Sequence, residues 1–164
     1  MTTLCRELER LRNFDQLREE VLKLIQEHPG QQQIICQGLD PYEEDWLTGT
    51  GRIADWPVQR EQSYCWINSS LKNTVLAEII QRYSAYRTRI MRQQPRQCYS
   101  IHRDSSQRIH IPIKTTDQSW MIWPQRQTCV QLKQGGVYLT DTRELHTALN
   151  GDLSERIHLV LAVD

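Results

Sequence analysis

The chain has 164 residues, with 20 Lys and Arg set against 20 Asp and Glu. That length suits one domain with one core, and the balanced charge gives no basis for a polyanion-binding protein or an acidic tail. The five cysteines are scattered and never form C-x-x-C, which argues for reduced thiols, expected as small buried side chains, over a disulfide framework or a zinc site.

The stretch Met1-Thr-Thr-Leu-Cys-Arg-Glu7 has no apolar signal segment, and no run is long enough to span a bilayer. The expected setting is cytoplasmic, with no membrane partner. From Leu4 to about Glu27 the apolar residues Leu4, Leu8, Leu11, Phe14, Leu17, Val21, Leu24 and Ile25 recur at three and four, which predicts amphipathic helix. Asn13 with Gln16 caps a second helical segment, and His28-Pro29-Gly30 ends it. Gln33 to Gln37 reads as a short strand. Residues 39 to 72, with Pro41, Gly49, Gly51, Pro57 and three tryptophans, read as irregular segments with a hairpin that could cover a site opening. Asn73 opens a helix with Val75, Leu76, Ile79, Ile80 and Tyr83 on one face.

After Ser84 the pattern is strand and turn. The predicted strands are Tyr86 to Arg92, Gln97 to His102, Arg108 to Ile113, Ser119 to Trp123, Thr128 to Leu132, Val137 to Thr140 and Arg156 to Val163. Helices followed by a run of short strands predict an α+β class whose strands close as a small sandwich or jelly roll. Residues 1–164 are expected to form a single domain, with a helical and irregular part over 1–84 and the β core over 85–164.

Residues two apart on a strand share a face. His102 and Asp104 therefore point together if their strand continues. Arg108 with His110, and Arg156 with His158, each share a face opposite a row of Ile and Leu. Such strands make a barrel with a polar throat. Two histidines and one carboxylate, His102, Asp104 and His146, are the ligand set of the facial triad of non-haem Fe(II) oxygenases, which leaves open positions for a bidentate oxo acid and O2. Arg156, ten residues after His146, would form a two-pronged pair with the remote carboxylate of a dicarboxylate co-substrate. Arg108 and His110 could hold the carboxylate that chelates the metal. Trp120, Trp123 and His158 are candidates for the substrate side, both tryptophans reading better as core.

The His102-Arg-Asp104 tripeptide also looks like a kinase catalytic loop. Position 109 is Ile where that motif needs Asn, and neither a glycine-rich loop nor D-F-G occurs. Oxygenases that demethylate nucleic acid carry a second Arg six residues after the first, and position 162 here is Ala. A nucleic-acid partner is therefore not expected. The arginines Arg87, Arg89, Arg92, Arg96, Arg103 and Arg108 read as solvated strand edges.

From about Tyr86 to Val163 the sequence resembles the aspartyl/asparaginyl β-hydroxylase family of Fe(II)- and 2-oxoglutarate-dependent oxygenases, which also includes hydroxylases of free proline. The resemblance rests on His102-x-Asp104, Gln107-Arg-Ile-His110-Ile-Pro-Ile113, Gly135-Gly-Val-Tyr-Leu-Thr-Asp141, His146-Thr-Ala-Leu-Asn150 and Arg156-Ile-His-Leu-Val160. It implies a double-stranded β-helix of cupin-like build with the N-terminal helices packed outside. Fe(II) would sit at His102, Asp104 and His146, and 2-oxoglutarate between Arg156 at one end and Arg108 and His110 at the other. Some relatives have Gly at the position of Asp104, and a serine that assists co-substrate binding in others would fall near Met91. The reaction implied is hydroxylation of an amino-acid or peptide substrate with release of succinate and CO2. Two rivals stand beside it: a cupin-like metal enzyme that uses no 2-oxoglutarate, and a barrel that only binds a partner.

Overall fold

The computed structural model describes residues 3–164. In chain order it contains β1 (Cys5–Arg10), α1 (Phe14–Glu27), β2 (Gln33–Ile35), β3 (Gln37–Gly38), β4 (Trp66–Ile67), α2 (Val75–Arg82), β5 (Tyr86–Gln93), β6 (Gln97–Cys98), β7 (Gln107–Lys114), β8 (Ser119–Trp123), β9 (Thr128–Val130), β10 (Gly136–Thr140), β11 (Thr147–Asn150) and β12 (Arg156–Val163). Among the described residues, 3–11, 92–158 and 164 form one compact unit, and 12–91 with 159–163 form another. Neither α-helix is long and apolar enough to cross a membrane.

The first unit holds two antiparallel groups of strands. In one, β10 pairs with β1 and with β7; in the other the order is β6-β11-β8-β9. The chain passes from one group to the other after β6, β7, β9 and β10, the winding of a jelly roll. Met121, Trp123, Leu132, Tyr138 and Ala148 fill the space between the groups, with Leu4, Cys5, Tyr99 and Val130 against them. Glycine is required at the start of β10. Gly135 adopts φ +78, and a Cβ on Gly136 would stand 2.6 Å from the Tyr138 ring, so only Gly-Gly lets the turn and the aromatic coexist.

Residues 5–10 are a strand, not the first turn of a helix. Leu4, Leu8 and Leu11 carry the three-and-four spacing, but the segment Cys-Arg-Glu-Leu-Glu-Arg pairs along β10 from Cys5↔Thr140 to Arg10↔Gly136, with a bulge between Glu7 and Glu9. The bulge resets the alternation, and the charged side chains suit an edge strand. Asn13 then stands at the helix start, but its side chain makes no capping hydrogen bond, and Gln16 donates to Glu20 instead.

In the second unit α1 buries Leu17, Val21 and Leu24, and α2 buries Val75, Leu76, Ala77, Ile79 and Ile80. The two helices are joined at a terminus: Glu20 accepts the backbone N–H of Val75 and Leu76, both at 3.0 Å. A carboxylate there satisfies orphan donors and suits the positive end of the helix. Thr74 rather than Asn73 is the cap, accepting the Ala77 N–H at 3.1 Å. Among the described residues no hairpin forms within 39–72: the one strand there, β4, pairs instead with β3, which precedes the segment.

Two further expectations are corrected. Of the five cysteines only Cys36 is buried; Cys65, Cys98 and Cys129 are exposed and Cys5 lies between. The arginine cluster is not a set of solvated edges, because Arg87, Arg89 and Arg108 are buried. Arg87 adopts a left-handed φ of +46, and its guanidinium pairs with buried Glu61 and donates to the carbonyls of Gly49 and Gly51, both at 2.8 Å. It thus clamps the glycine loop. Arg87→Met should lower stability by about 3–5 kcal/mol in urea denaturation, because Glu61 is left a buried, uncompensated carboxylate. Adding Glu61→Gln to that variant should restore part of the loss.

Candidate metal centre and anion site

The residues singled out by the sequence fall into two groups in the first unit. His102 lies outside any long strand: β6 stops at Cys98, and His102 instead forms an isolated antiparallel bridge with His146. Each backbone N–H of this pair donates to the other's carbonyl at 3.0 Å, and Asp104 N–H donates to Thr142 at 2.9 Å. The H-x-D segment is therefore a loop stitched onto the segment that carries the distal histidine. His102, Asp104 and His146 offer ligand atoms within 4.8 Å of one another.

The tautomers follow from the neighbours. His102 Nδ1 lies 2.7 Å from the Ser100 carbonyl, and His146 Nδ1 lies 3.1 Å from the Glu144 carbonyl. A carbonyl only accepts, so both Nδ1 atoms carry the proton and both Nε2 atoms present a lone pair. Those Nε2 atoms are each 3.9 Å from an oxygen of Asp104. Burial, the largest cause, holds the His146 imidazole below its usual range against the opposing pull of Asp104, which favours the neutral form a metal needs. Two imidazole nitrogens and a hard carboxylate, with both rings oriented by outer hydrogen bonds, fit a divalent first-row ion such as Fe(II).

Arg108 is fully buried on β7, with Nε 3.3 Å from Asp104 Oδ2, and its guanidinium also donates to Ser106 Oγ. The structure thus brings Arg108 to the Asp104 carboxylate, a contact the sequence did not suggest.

The second group is built around Arg156. Its side chain is buried, and all its hydrogen-bond partners are neutral: Gln93 Oε1 at 3.2 Å, the Met121 sulfur at 3.8 Å and His158 Nδ1 at 3.0 Å. Nε has no partner. Burial pushes the guanidinium down to about 10, with Tyr99 opposing, so it stays charged at neutral pH. A buried, partly unpartnered guanidinium is a receptor for a carboxylate, and in that respect the residues fit a dicarboxylate co-substrate. His110 Nδ1 lies 3.4 Å from His158 Nδ1. Since Arg108 and His110 are two apart on β7, one strand face serves both groups.

Gln93 was invisible in the sequence. It is a buried amide whose Nε2 donates to Gln97 and Ala148 carbonyls at 2.9 and 2.8 Å, which fixes Oε1 toward Arg156. No spacing signal marks a lone glutamine at a strand end. Trp123 belongs to the core, its Nε1 donating to the Asp141 carbonyl at 3.0 Å. Trp120, opposite Leu149, is only partly buried.

No family model matches the sequence, and no curated protein matches it. Among solved structures, AviO1 from Streptomyces viridochromogenes Tue57 covers 98% of this chain and 95% of its own, at 13% identity and a TM-score of 0.52. The likeness is one of fold. Looser overlaps, with TM-scores of 0.44 and 0.37, are found with SnoK, a non-heme alpha ketoglutarate dependent carbocyclase from nogalamycin biosynthesis, and with vCPH, the viral collagen prolyl hydroxylase of Paramecium Bursaria Chlorella virus-1 in its 2OG complex. SnoK covers 95% of this chain and 77% of its own at 12% identity; vCPH covers 54% and 69% at 18%. At such values the latter two add no argument to the geometry.

The buried histidines set a pH dependence. His146 and His158 are both held below the usual imidazole range, chiefly by burial. Below about pH 6.5 the unfolded chain takes up protons at these positions while the folded chain does not. Stability of the metal-free protein is therefore expected to fall as pH drops from about 6.5 toward the folded values. Thermal melts across that range check it; a melting temperature that rises on acidification would contradict the assignment.

Proposed function

We propose that the protein is an Fe(II)- and 2-oxoglutarate-dependent dioxygenase that hydroxylates an amino-acid side chain, free or within a peptide, of the aspartyl/asparaginyl or prolyl type. The observation that carries this reading is the pair of Nε2 lone pairs facing one carboxylate, each histidine locked by a carbonyl on its other nitrogen. His102, Asp104 and His146 would hold the iron. Arg156 would receive the remote carboxylate of 2-oxoglutarate, with Arg108 and His110 on the metal side. The bound metal and co-substrate together supply the oxidising chemistry, in which O2 is consumed, 2-oxoglutarate leaves as succinate and CO2, and a C–H bond becomes C–OH.

The chain's own residues do the positioning. The reciprocal His102–His146 backbone pair fixes the spacing of the two imidazoles, and Arg108 holds the Asp104 carboxylate. Burial of Arg156 keeps water from competing for its guanidinium, which strengthens a charge-assisted pair. Gln93 and His158 hold the fork in place.

The test is succinate release from the Fe(II)-loaded protein, screened against free amino acids and peptides. Asp104→Ala and His146→Ala should abolish both turnover and the rise in melting temperature caused by Fe(II) under nitrogen. Arg156→Ala should keep that metal-induced rise and raise KM for 2-oxoglutarate about a hundred-fold, the loss of two charge-assisted hydrogen bonds. Unchanged activity in Arg156→Ala would favour a metal enzyme that needs no 2-oxoglutarate. Failure to bind Fe(II) would leave a barrel without this chemistry.

A further inference from the structure

We propose that Gln93 sets the charge selectivity of the Arg156 pocket, as a neutral amide that holds the guanidinium in place without matching its charge; this rests on the 2-oxoglutarate reading above. Gln93 ends β5 and is fully buried. A primary amide has two N–H donors and one carbonyl oxygen. Both donors are used on the carbonyls of Gln97 and Ala148, at 2.9 and 2.8 Å, and the oxygen accepts from Arg156 Nη1 at 3.2 Å. The reverse amide would set its oxygen against two carbonyls and its N–H groups against a guanidinium, so one orientation alone is satisfied.

The frame around the amide is equally fixed. Asn150, also buried, donates to the carbonyls of Gln93, Gln94 and Ser154 at 3.2, 3.0 and 2.9 Å, which ties the end of β5 to the turn that leads into β12. The same chain shows the other solution to a buried guanidinium: Arg87 is paired with the carboxylate of Glu61, both buried. A glutamate at position 93 would have nearly the shape of the glutamine and would give Arg156 a resident anion. The amide leaves that charge to a ligand, since the Met121 sulfur and the His158 imidazole, held neutral chiefly by burial, bring none. In a low-dielectric site the unmatched charge dominates the choice between an anionic and a neutral ligand. Gln93 therefore acts through Arg156, as a positioning residue that selects a 2-oxo acid with a second carboxylate.

The probes are 2-oxoglutarate and its 5-methyl ester, which keeps the chain but not the remote charge, titrated calorimetrically into the Fe(II)-loaded protein under nitrogen. Wild type should prefer the dicarboxylate. Gln93→Glu should bind 2-oxoglutarate about ten- to a hundred-fold more weakly at neutral pH, the loss of charge-assisted contacts to a guanidinium that already has an anion, and should bind the ester with much less loss. Gln93→Met, neutral and of similar length, should keep the preference for the dicarboxylate even where both affinities fall. A measurement on unaltered protein is the Gln93 side-chain amide in the Zn(II)-loaded form, whose Nε2 protons should be protected from exchange and show nuclear Overhauser contacts to Gln97 and Ala148. Contacts of those protons to the Arg156 guanidinium, equal losses for the two probes in Gln93→Glu, or a lost preference in Gln93→Met would overturn the inference while leaving the oxygenase reading intact. Absence of 2-oxoglutarate binding by wild type would overturn both.

Discussion

The strongest constraint on this structure is a buried positive charge that the protein itself does not neutralise. Arg156 opens β12, a strand whose eight residues are all buried, and its guanidinium meets an amide oxygen, a thioether and an imidazole rather than an acid. Desolvating such a group costs several kcal/mol, and neutral hydrogen bonds recover only part of it. The surrounding core must offset the rest. Such a residue is poorly explained as a stabilising feature, and an anion bound beside it would relieve the deficit.

The candidate metal centre obeys a different logic, in which short-range chain geometry does most of the work. In both His102 and His146 the Nδ1–H is satisfied by the carbonyl two residues earlier in the chain, Ser100 and Glu144. The tautomer of each ring is thus set locally. Long-range structure then has one task, to bring two such local units together, and the reciprocal backbone bridge between the histidines performs it. Asp104 is fixed from a third direction by Arg108. Orientation of ligands by groups outside the ligand set is what preserves a metal site when the metal leaves.

Much of this was legible from the residues. Strands β5, β7, β8 and β12 could be read because they combine branched and aromatic residues with clear turn signals, and α2 because its apolar face is continuous. The misread segments have physical reasons. Three leucines at helical spacing cannot reveal that residues 5–10 complete the edge of β10 through a bulge. β11 was missed because Thr-Ala-Leu-Asn is short and carries one large apolar side chain. The burial of Arg87 and Arg89 was hidden because their partners, Glu61, Gln33 and the carbonyls of a glycine loop, lie far away in sequence. In the site, residue types and order suggested the candidates, whereas the contact of Arg108 with Asp104 and the role of Gln93 required three dimensions.

The chain carries Arg-x-His twice, at Arg108-x-His110 and Arg156-x-His158, and the two copies are not chemically equivalent. Arg108 has Asp104 beside it, with Nε 3.3 Å from Oδ2, so its charge is matched within the protein, while its Nη1 donates to Ser106. Arg156 has no acid among its hydrogen-bond partners. Identical spacing therefore yields one arginine with a carboxylate beside it and one without. The difference lies in what each strand faces, since β7 brings its arginine to the H-x-D loop while β12 brings its own to Gln93, Met121 and His158. On electrostatic grounds an anion would gain more beside Arg156, which lacks an acidic partner, than beside Arg108, which already has a carboxylate next to it.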